Sequence, residues 1–220
     1  MSFTRVGYGQ VEPNQLSAQK TGQIYASLPL DPGVDVLQNG EFMYYDEVSG
    51  KVTADDSTGL AEPMLVFNEI KLYEPFWRTS YKDFAMIRKG DNYVTTKLAV
   101  NGPVEGTYGD GSLTPGIAAN PAHPDYPYRM DGIAPRLFKT NVGDIYTTNM
   151  VQTDDDAGAE VTYAVGNLLV PVKNTTTKTL QLEKFTPATA GDKPTGIAFA
   201  VVKVYTMPDG QKGLKLQRVK

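Results

Sequence analysis

The chain offers almost no cysteine or histidine for catalysis or metal binding. It contains no cysteine, which excludes disulfides, thiolate metal sites and a cysteine nucleophile. Its single histidine, His123, lies in the proline-flanked stretch Pro121-Ala122-His123-Pro124. One histidine cannot make a two-histidine metal site within a chain, and no Gly-x-Ser-x-Gly motif presents a serine nucleophile. We therefore predict an exposed loop histidine, no metal site and no cofactor.

The acidic residues form two clusters, Asp55-Asp56 and Asp154-Asp155-Asp156. A calcium loop of the EF-hand type spaces its ligands at alternate positions and ends in glutamate, whereas these aspartates are consecutive. We interpret both clusters as solvated loops. Two carboxylates that are distant in sequence can still meet in a fold as a glycosidase pair, so a β-rich hydrolase stays open as an alternative.

Charge and hydropathy exclude two further classes of partner. The chain carries 21 Lys+Arg against 25 Asp+Glu, a formal net charge of −4, whereas nucleic-acid-binding domains usually show a strongly basic patch. The glycine-rich stretch 102–116 has no Gly-Lys-Ser/Thr sequence and is not predicted to bind phosphate. No run of 18 apolar residues predicts a membrane-spanning helix, and residues 1–8 lack the apolar core of a secretory signal. We predict no nucleic-acid partner and no membrane association.

Composition and turn residues predict a mostly β fold. The 22 Thr and 13 Tyr suit pleated sheets, while the 21 Gly and 15 Pro favour turns. Strands are predicted at 42–46, 51–53, 63–73, 81–88, 93–100, 136–139, 144–151, 160–165, 167–172, 178–185, 196–206 and 214–219. The last two form a hairpin around Pro208-Asp209-Gly210, because proline presets φ and glycine accepts positive φ. Many short strands separated by turns are typical of a small β-barrel or sandwich.

The chain divides into four segments by composition and by the density of predicted strands. Residues 1–29 are predicted as an extended N-terminal arm, 30–100 as a first β subdomain, 101–135 as a Gly/Pro-rich insertion or connector, and 136–220 as a second β subdomain. Similar short stretches in the two β segments leave open whether they form one domain or two duplicated barrels. The arm has room for only a short helix at 15–20. It either packs back on its own domain or becomes ordered on a partner.

Aromatic residues outside the strands suggest a binding surface. Tyr108, Tyr126 and Tyr128 lie in the insertion, and Trp77 lies between Phe76 and Arg78. We interpret Trp77 as a core or interface anchor. As an alternative, these aromatic side chains stack on sugars, which would make the protein a carbohydrate- or receptor-binding β module of a virion or cell surface.

Stretches at both ends of the chain resemble the capsid decoration proteins, also called head or cement proteins, of tailed bacteriophages. They are YGQVE at 8–12, QLSAQKTGQIY at 15–25, VLQNG at 36–40, FNEIKLY at 67–73, KTNVGDI at 139–145 and the end of the chain from 202 to 220. The resemblance weakens through 101–135. It implies a non-enzymatic virion component and transfers no binding residues.

Under this resemblance the expected partner is the major capsid protein, and the expected location is the outer surface of the capsid. A homo-oligomer is expected, with a trimer favoured because several linked arms bind with avidity. An extended arm can add a strand to a partner or lie along its surface. We therefore expect residues 2–29 to make the capsid contact, through Tyr8, Val11, Leu16, Ile24 and Tyr25.

Overall fold

The computed structural model describes residues 9–68, 86–88, 134–155, 158–189, 191–207 and 212–220. Its strands are β1 (Val11–Gln15), β2 (Ile24–Tyr25), β3 (Val36–Gln38), β4 (Phe42–Asp46), β5 (Lys51–Thr53), β6 (Met64–Val66), β7 (Met86–Arg88), β8 (Leu137–Phe138), β9 (Ile145–Thr148), β10 (Leu168–Asn174), β11 (Thr179–Lys184), β12 (Phe199–Thr206) and β13 (Lys212–Arg218), and helix α1 is Ser17–Thr21. Tyr8, Trp77, Tyr108, His123, Tyr126, Tyr128, the strand predicted at 93–100 and the turn at 208–211 lie outside the described residues.

Eleven strands form one sheet, and the predicted mostly β fold of the barrel or sandwich type is confirmed. The strand order is β1-β9-β13-β12-β10-β11-β4-β6-β8-β2, with β5 attached to β4. The named strand pairs are antiparallel, including the separate pair β3–β7. Strands from both predicted β subdomains share the large sheet, because β4 pairs with β11 and β6 with β8. No helix in the described ranges is long and apolar enough to cross a bilayer.

The two edge strands of this sheet are close in sequence, which forces the sheet to curl. β1 and β2 lie at opposite edges but are joined only by residues 16–23. Ten strands laid flat would span about 43 Å at the usual interstrand spacing. A connection of this length that contains a helical turn reaches only about 20 Å. The sheet accordingly curls into half a barrel around a buried hydrophobic cluster.

Alternation along the hairpin strands supplies much of this core. Val201 and Leu216 are directly paired in the ladder and both are buried, as expected for opposite residues that share one face. Phe199, two residues before Val201, places its ring 5.3 Å from Phe42 and 5.6 Å from Tyr146 between centroids. The ring of Phe199 therefore joins β12 to β4 and β9 across the curled sheet.

Several predicted strands are found where the sequence placed them. β4 and β5 match 42–46 and 51–53, and the terminal hairpin is confirmed by the pairing of β12 with β13. The strand predicted at 160–165 is wrong, since Glu160 makes only an isolated bridge with Asp154. Buried Tyr163 donates its hydroxyl to the carbonyl of Gln152 over 2.6 Å. This side-chain bond and the backbone bond from the N–H of Val161 to the carbonyl of Thr153 (2.8 Å) thus fix the segment without a strand ladder.

The chain leaves and re-enters the sheet at a single place on either side of residues 69–133. The backbone N–H of Arg136 donates to Asn68 Oδ1 (2.9 Å), and the N–H of Phe67 donates to the carbonyl of Arg136 (3.0 Å). The N–H of Asn68 in turn donates to Asn39 Oδ1 (2.7 Å). Buried Asn68 therefore holds β6 and β8 together at the point where the chain departs.

Candidate functional site

The described part of the N-terminal segment packs against its own chain. β1 pairs with β9, and β2 pairs with β8. Leu16 lies in the core with 2% of its surface exposed, and Val11, Ile24 and Tyr25 are partly buried against the same core. Of the two outcomes predicted for the arm, these residues show packing on the same domain. Leu16 has almost no surface to offer a partner, so we no longer count it among the residues expected to contact the capsid.

The buried carboxylate of Asp144, which lies 127 positions later in the sequence, fixes the start of α1. Asp144 accepts hydrogen bonds from the backbone N–H of Ser17 (3.0 Å), the hydroxyl of Ser17 (2.9 Å) and the backbone N–H of Asn141 (2.8 Å). The residue before the helix, Leu16, provides no side-chain cap. Asp144 therefore supplies the acceptor that an N-cap side chain normally provides.

Further polar contacts connect residues 9–25 to the second half of the chain. Thr147 Oγ1 donates to Asn14 Oδ1 (2.7 Å), the N–H of Gln10 donates to Asn149 Oδ1 (2.7 Å), and the hydroxyl of Tyr205 donates to the carboxylate of Glu12. Deleting residues 2–29 would remove both edge strands of the sheet and uncover the core around Leu16. Such a deletion is therefore expected to unfold the domain, and it cannot isolate a capsid contact.

A second carboxylate braces two exposed loops. Asp46 accepts hydrogen bonds from the hydroxyl of Ser57 and the backbone N–H of Val48 (2.9 Å). These hydrogen bonds, above all the one from Ser57, lower the pKa of Asp46 to about 2. The braced loops carry Val48, which is 75% exposed, and Leu60, which is 88% exposed. Each loop thus presents one apolar side chain to solvent.

A groove of about 450 Å³ opens beside the loop of Leu60. Its lining combines two aromatic rings, three prolines and two charged residues: Tyr44, Phe185, Pro63, Pro171, Pro194, Glu62 and Lys220. Glu62 accepts a hydrogen bond from the guanidinium of buried Arg218 (3.1 Å). Burial, and after it the nearby carboxylates of Asp56 and Asp55, raise the pKa of Tyr44. The groove thus combines apolar and polar surface, and its Glu62 is ion-paired with Arg218.

The acidic side chains are the remaining candidates for metal binding or acid catalysis among the described residues. Within the described ranges, no three His, Cys, Asp or Glu residues are grouped to hold a metal ion. The pKa of Asp46 is lowered, and the pKa of Asp56 is also lowered because hydrogen bonds from Thr58 and Ala61 outweigh the effect of burial. A glycosidase acid needs a raised pKa, so neither aspartate suits that role.

Four exposed valines lie on, or next to the ends of, the adjacent strands β9, β13, β12 and β10. Val202 on β12 is 42% exposed, and Val219, just after β13, is 44% exposed. Val142 and Val165 precede β9 and β10 and are each 68% exposed. The N–H of Gly143 bonds to the carbonyl of Arg218 and the N–H of Gly166 to that of Val201, both at 2.8 Å. These bonds bring Val142 near Val219 and Val165 near Val202. We call these four residues the valine face.

The strand register places a row of outward-facing side chains between the two pairs of valines. Ile145 pairs with Gln217, Gln217 with Ala200, and Ala200 with Leu168. These four half-buried side chains cross β9, β13, β12 and β10 in one row. They lie on the face opposite the core, because each alternates with a buried neighbour such as Leu216 or Phe199.

The valine face was not predicted from the sequence, although one signal was present. The run Phe199-Ala200-Val201-Val202 is apolar at both parities, whereas a strand with one solvated face normally alternates. That run therefore indicated a strand with two apolar faces. Val142 and Val165 lie in turns, where no strand pattern could identify them.

Comparison with protein-family models, with curated proteins and with solved structures found no match to this chain.

Proposed function

We propose that this protein is a non-enzymatic structural protein of a virion, which binds the outer surface of a phage capsid and stabilises or decorates it. The observation that carries the proposal is the valine face. Exposed apolar side chains that are grouped on one surface, rather than scattered singly, are a feature of interaction sites. The resemblance to decoration proteins at both ends of the chain suggests the major capsid protein as the partner.

The fold suits attachment to a shell more than it suits strand addition. β1, at one sheet edge, contains Pro13, which has no N–H to offer a further strand. β2, at the other edge, has only two residues, Ile24 and Tyr25. Short or proline-containing edges discourage pairing with another chain. We therefore place the capsid contact on the sheet face and not on the edge of the N-terminal segment.

Homo-oligomerisation, with a trimer favoured, belongs to the same proposal. A single copy that docks through four valines should bind with modest affinity, because association costs translational and rotational freedom. Linked copies gain avidity, since every contact after the first is intramolecular. We expect an oligomer that presents one valine face per subunit to the capsid.

The test is binding of the purified full chain to phage heads prepared without it, with copies per head counted at saturation. We expect saturation at a fixed multiple of the capsomers. Replacing Val202 and Val219 together by Asp should weaken binding at least tenfold, because two charges would have to be buried in the contact. The matched control replaces Val48 and Leu60 by Asp, which changes the charge equally on the braced loops.

The outcomes separate cleanly. Saturable binding that is lost in the valine variant and kept in the loop variant supports the proposal. Loss in the loop variant alone moves the contact to the loops. Heads that take up no wild-type protein contradict the proposed function.

A second candidate, a carbohydrate-binding module, is favoured by the groove. Sugar sites combine aromatic faces with carboxylates, and the groove has Tyr44, Phe185 and Glu62. The test is a glycan array with the wild-type chain and with Phe185→Ala. A glycan retained by the wild type and lost by Phe185→Ala would favour this candidate over capsid binding.

A further inference from the structure

Two lysines lie directly opposite each other beside the valine face. The β12–β13 register pairs Lys203 with Lys215, one step beyond the irregularity at Val202. Lys215 alternates with buried Leu214 and Leu216, so its side chain lies on the outer face. Directly opposite side chains share a face, with Cβ atoms about 5 Å apart. Lys203 follows Val202 directly on β12, so the lysine pair lies next to the valine face in the strand register.

The residues that the structure describes do not neutralise this pair. Neither lysine forms an ion pair with an acid in the ranges that the structure describes. The ammonium of Lys203 lies 5.8 Å from the ring centroid of Tyr205. Glu12 shares the row of Lys215 through Thr147, but its carboxylate accepts the hydroxyl of Tyr205. Like charges directly opposite each other destabilise a ladder.

We propose that the valine face docks a protein surface that presents carboxylates to Lys203 and Lys215 and apolar side chains to the valines. The inference rests on the proposed function in one respect, that the capsid protein is the partner. A protein surface fits better than a polyanion, because the chain carries a net charge of −4 and repels one. Carboxylates placed opposite the pair would also fix the orientation of docking.

The experiment compares three double variants in the head-binding assay. Lys203→Glu with Lys215→Glu should weaken binding at least tenfold, since repulsion replaces attraction. Lys203→Arg with Lys215→Arg should bind as the wild type does, because the charge is kept. Lys20→Glu with Lys193→Glu changes the net charge equally at two exposed sites outside the valine face and should change binding less than threefold.

Carbodiimide, which joins amines to carboxylates, should cross-link wild-type Lys203 or Lys215 to the capsid protein, and the arginine variant should lose those cross-links.

A measurement on the free protein tests the same inference without capsids. Lys215→Glu turns the like-charge pair into an opposite-charge pair, so the melting temperature of the free chain should rise by about 1 °C. A melting temperature that is unchanged or lower overturns the inference, whether or not heads bind the protein. If wild-type protein binds heads and the glutamate double variant binds equally well, the docking inference fails while the proposed function stands. If binding is lost equally in the Lys20/Lys193 control, long-range charge is responsible and the inference also fails.

Discussion

Strand β9 has a different kind of neighbour on each side. β13 pairs with it at four consecutive positions and buries Leu214 and Leu216 completely. β1 pairs with it at three positions, with a register shift between Glu12 and Gln15. The C-terminal hairpin is thus attached by apolar burial, while the N-terminal segment depends heavily on polar side chains of the second half of the chain.

This difference teaches which part of the sheet gives way first. Burying a large apolar side chain stabilises the fold by about 1.5–3 kcal/mol, whereas an intramolecular hydrogen bond contributes about 1 kcal/mol net. Polar contacts near the surface also exchange readily with water. We therefore expect residues 11–25 to open more easily than β12–β13, which places them at the low-stability end of the fold.

The largest effect should come from the apolar side of the comparison. Phe199→Ala removes a fully buried ring that contacts both Phe42 and Tyr146. We expect a loss of about 3–5 kcal/mol in the free energy of unfolding, because the cavity adds to the lost transfer energy. Urea denaturation followed by circular dichroism measures it. The matched control on the same strand is Val202→Ala, for which we expect a change of about 0.5 kcal/mol or less. Equal losses in the two variants would show that the core is not where the register places it.

A smaller effect, confined to one segment, should follow from removing the polar anchor. Asp144→Ala leaves the N–H groups of Ser17 and Asn141 without their acceptor, and we expect a loss of about 2–3 kcal/mol. Amide hydrogen exchange should increase in α1 and β1 and change little in β12–β13.

The control for this variant is Asp192→Ala. Asp192 is an exposed carboxylate that also accepts a backbone N–H, that of Thr189 (2.8 Å). We expect it to change stability by about 0.5 kcal/mol or less. Uniform exchange across the whole sheet in Asp144→Ala would contradict the view that the N-terminal segment is a separately held unit.

The same contrast explains what the sequence could and could not predict. The hairpin was predictable because its signals are local: two apolar strands flank Pro208-Asp209-Gly210. β4 and β5 were predictable for the same reason, with the turn Glu47–Gly50 between them. The short helix was considered at 15–20 and lies at Ser17–Thr21. In each case the deciding residues lie within about ten positions of one another.

The candidate site depends on long-range pairing, which local patterns do not encode. Asp144 caps a helix that begins 127 residues earlier. The valine face combines turn residues and strand residues whose exposure depends on which strands are neighbours. Hydrophobicity alone assigned Val202 to a strand, but only the register shows that it faces away from the core. The same is true of Lys203 and Lys215, whose opposition follows from the irregularity at Val202.

The smallest effect concerns a hydrogen bond between the N-terminal segment and the C-terminal hairpin, from Tyr205 on β12 to Glu12 on β1. Burial, and after it the bond to Glu12, raise the pKa of the Tyr205 hydroxyl above its ordinary value of 10.0. A raised pKa in the folded state means that the contribution of this link is complete below about pH 10 and is lost as pH rises through the folded pKa. The phenolate can no longer donate, and it repels the carboxylate of Glu12.

In urea titrations between pH 8 and pH 11.5, the wild type should therefore lose slightly more stability than Tyr205→Phe. The other tyrosines with a raised pKa, Tyr44, Tyr146 and Tyr163, are present in both proteins and cancel in the comparison. Parallel pH profiles would show that this hydrogen bond contributes nothing to stability, and that the other contacts of the N-terminal segment hold it in place.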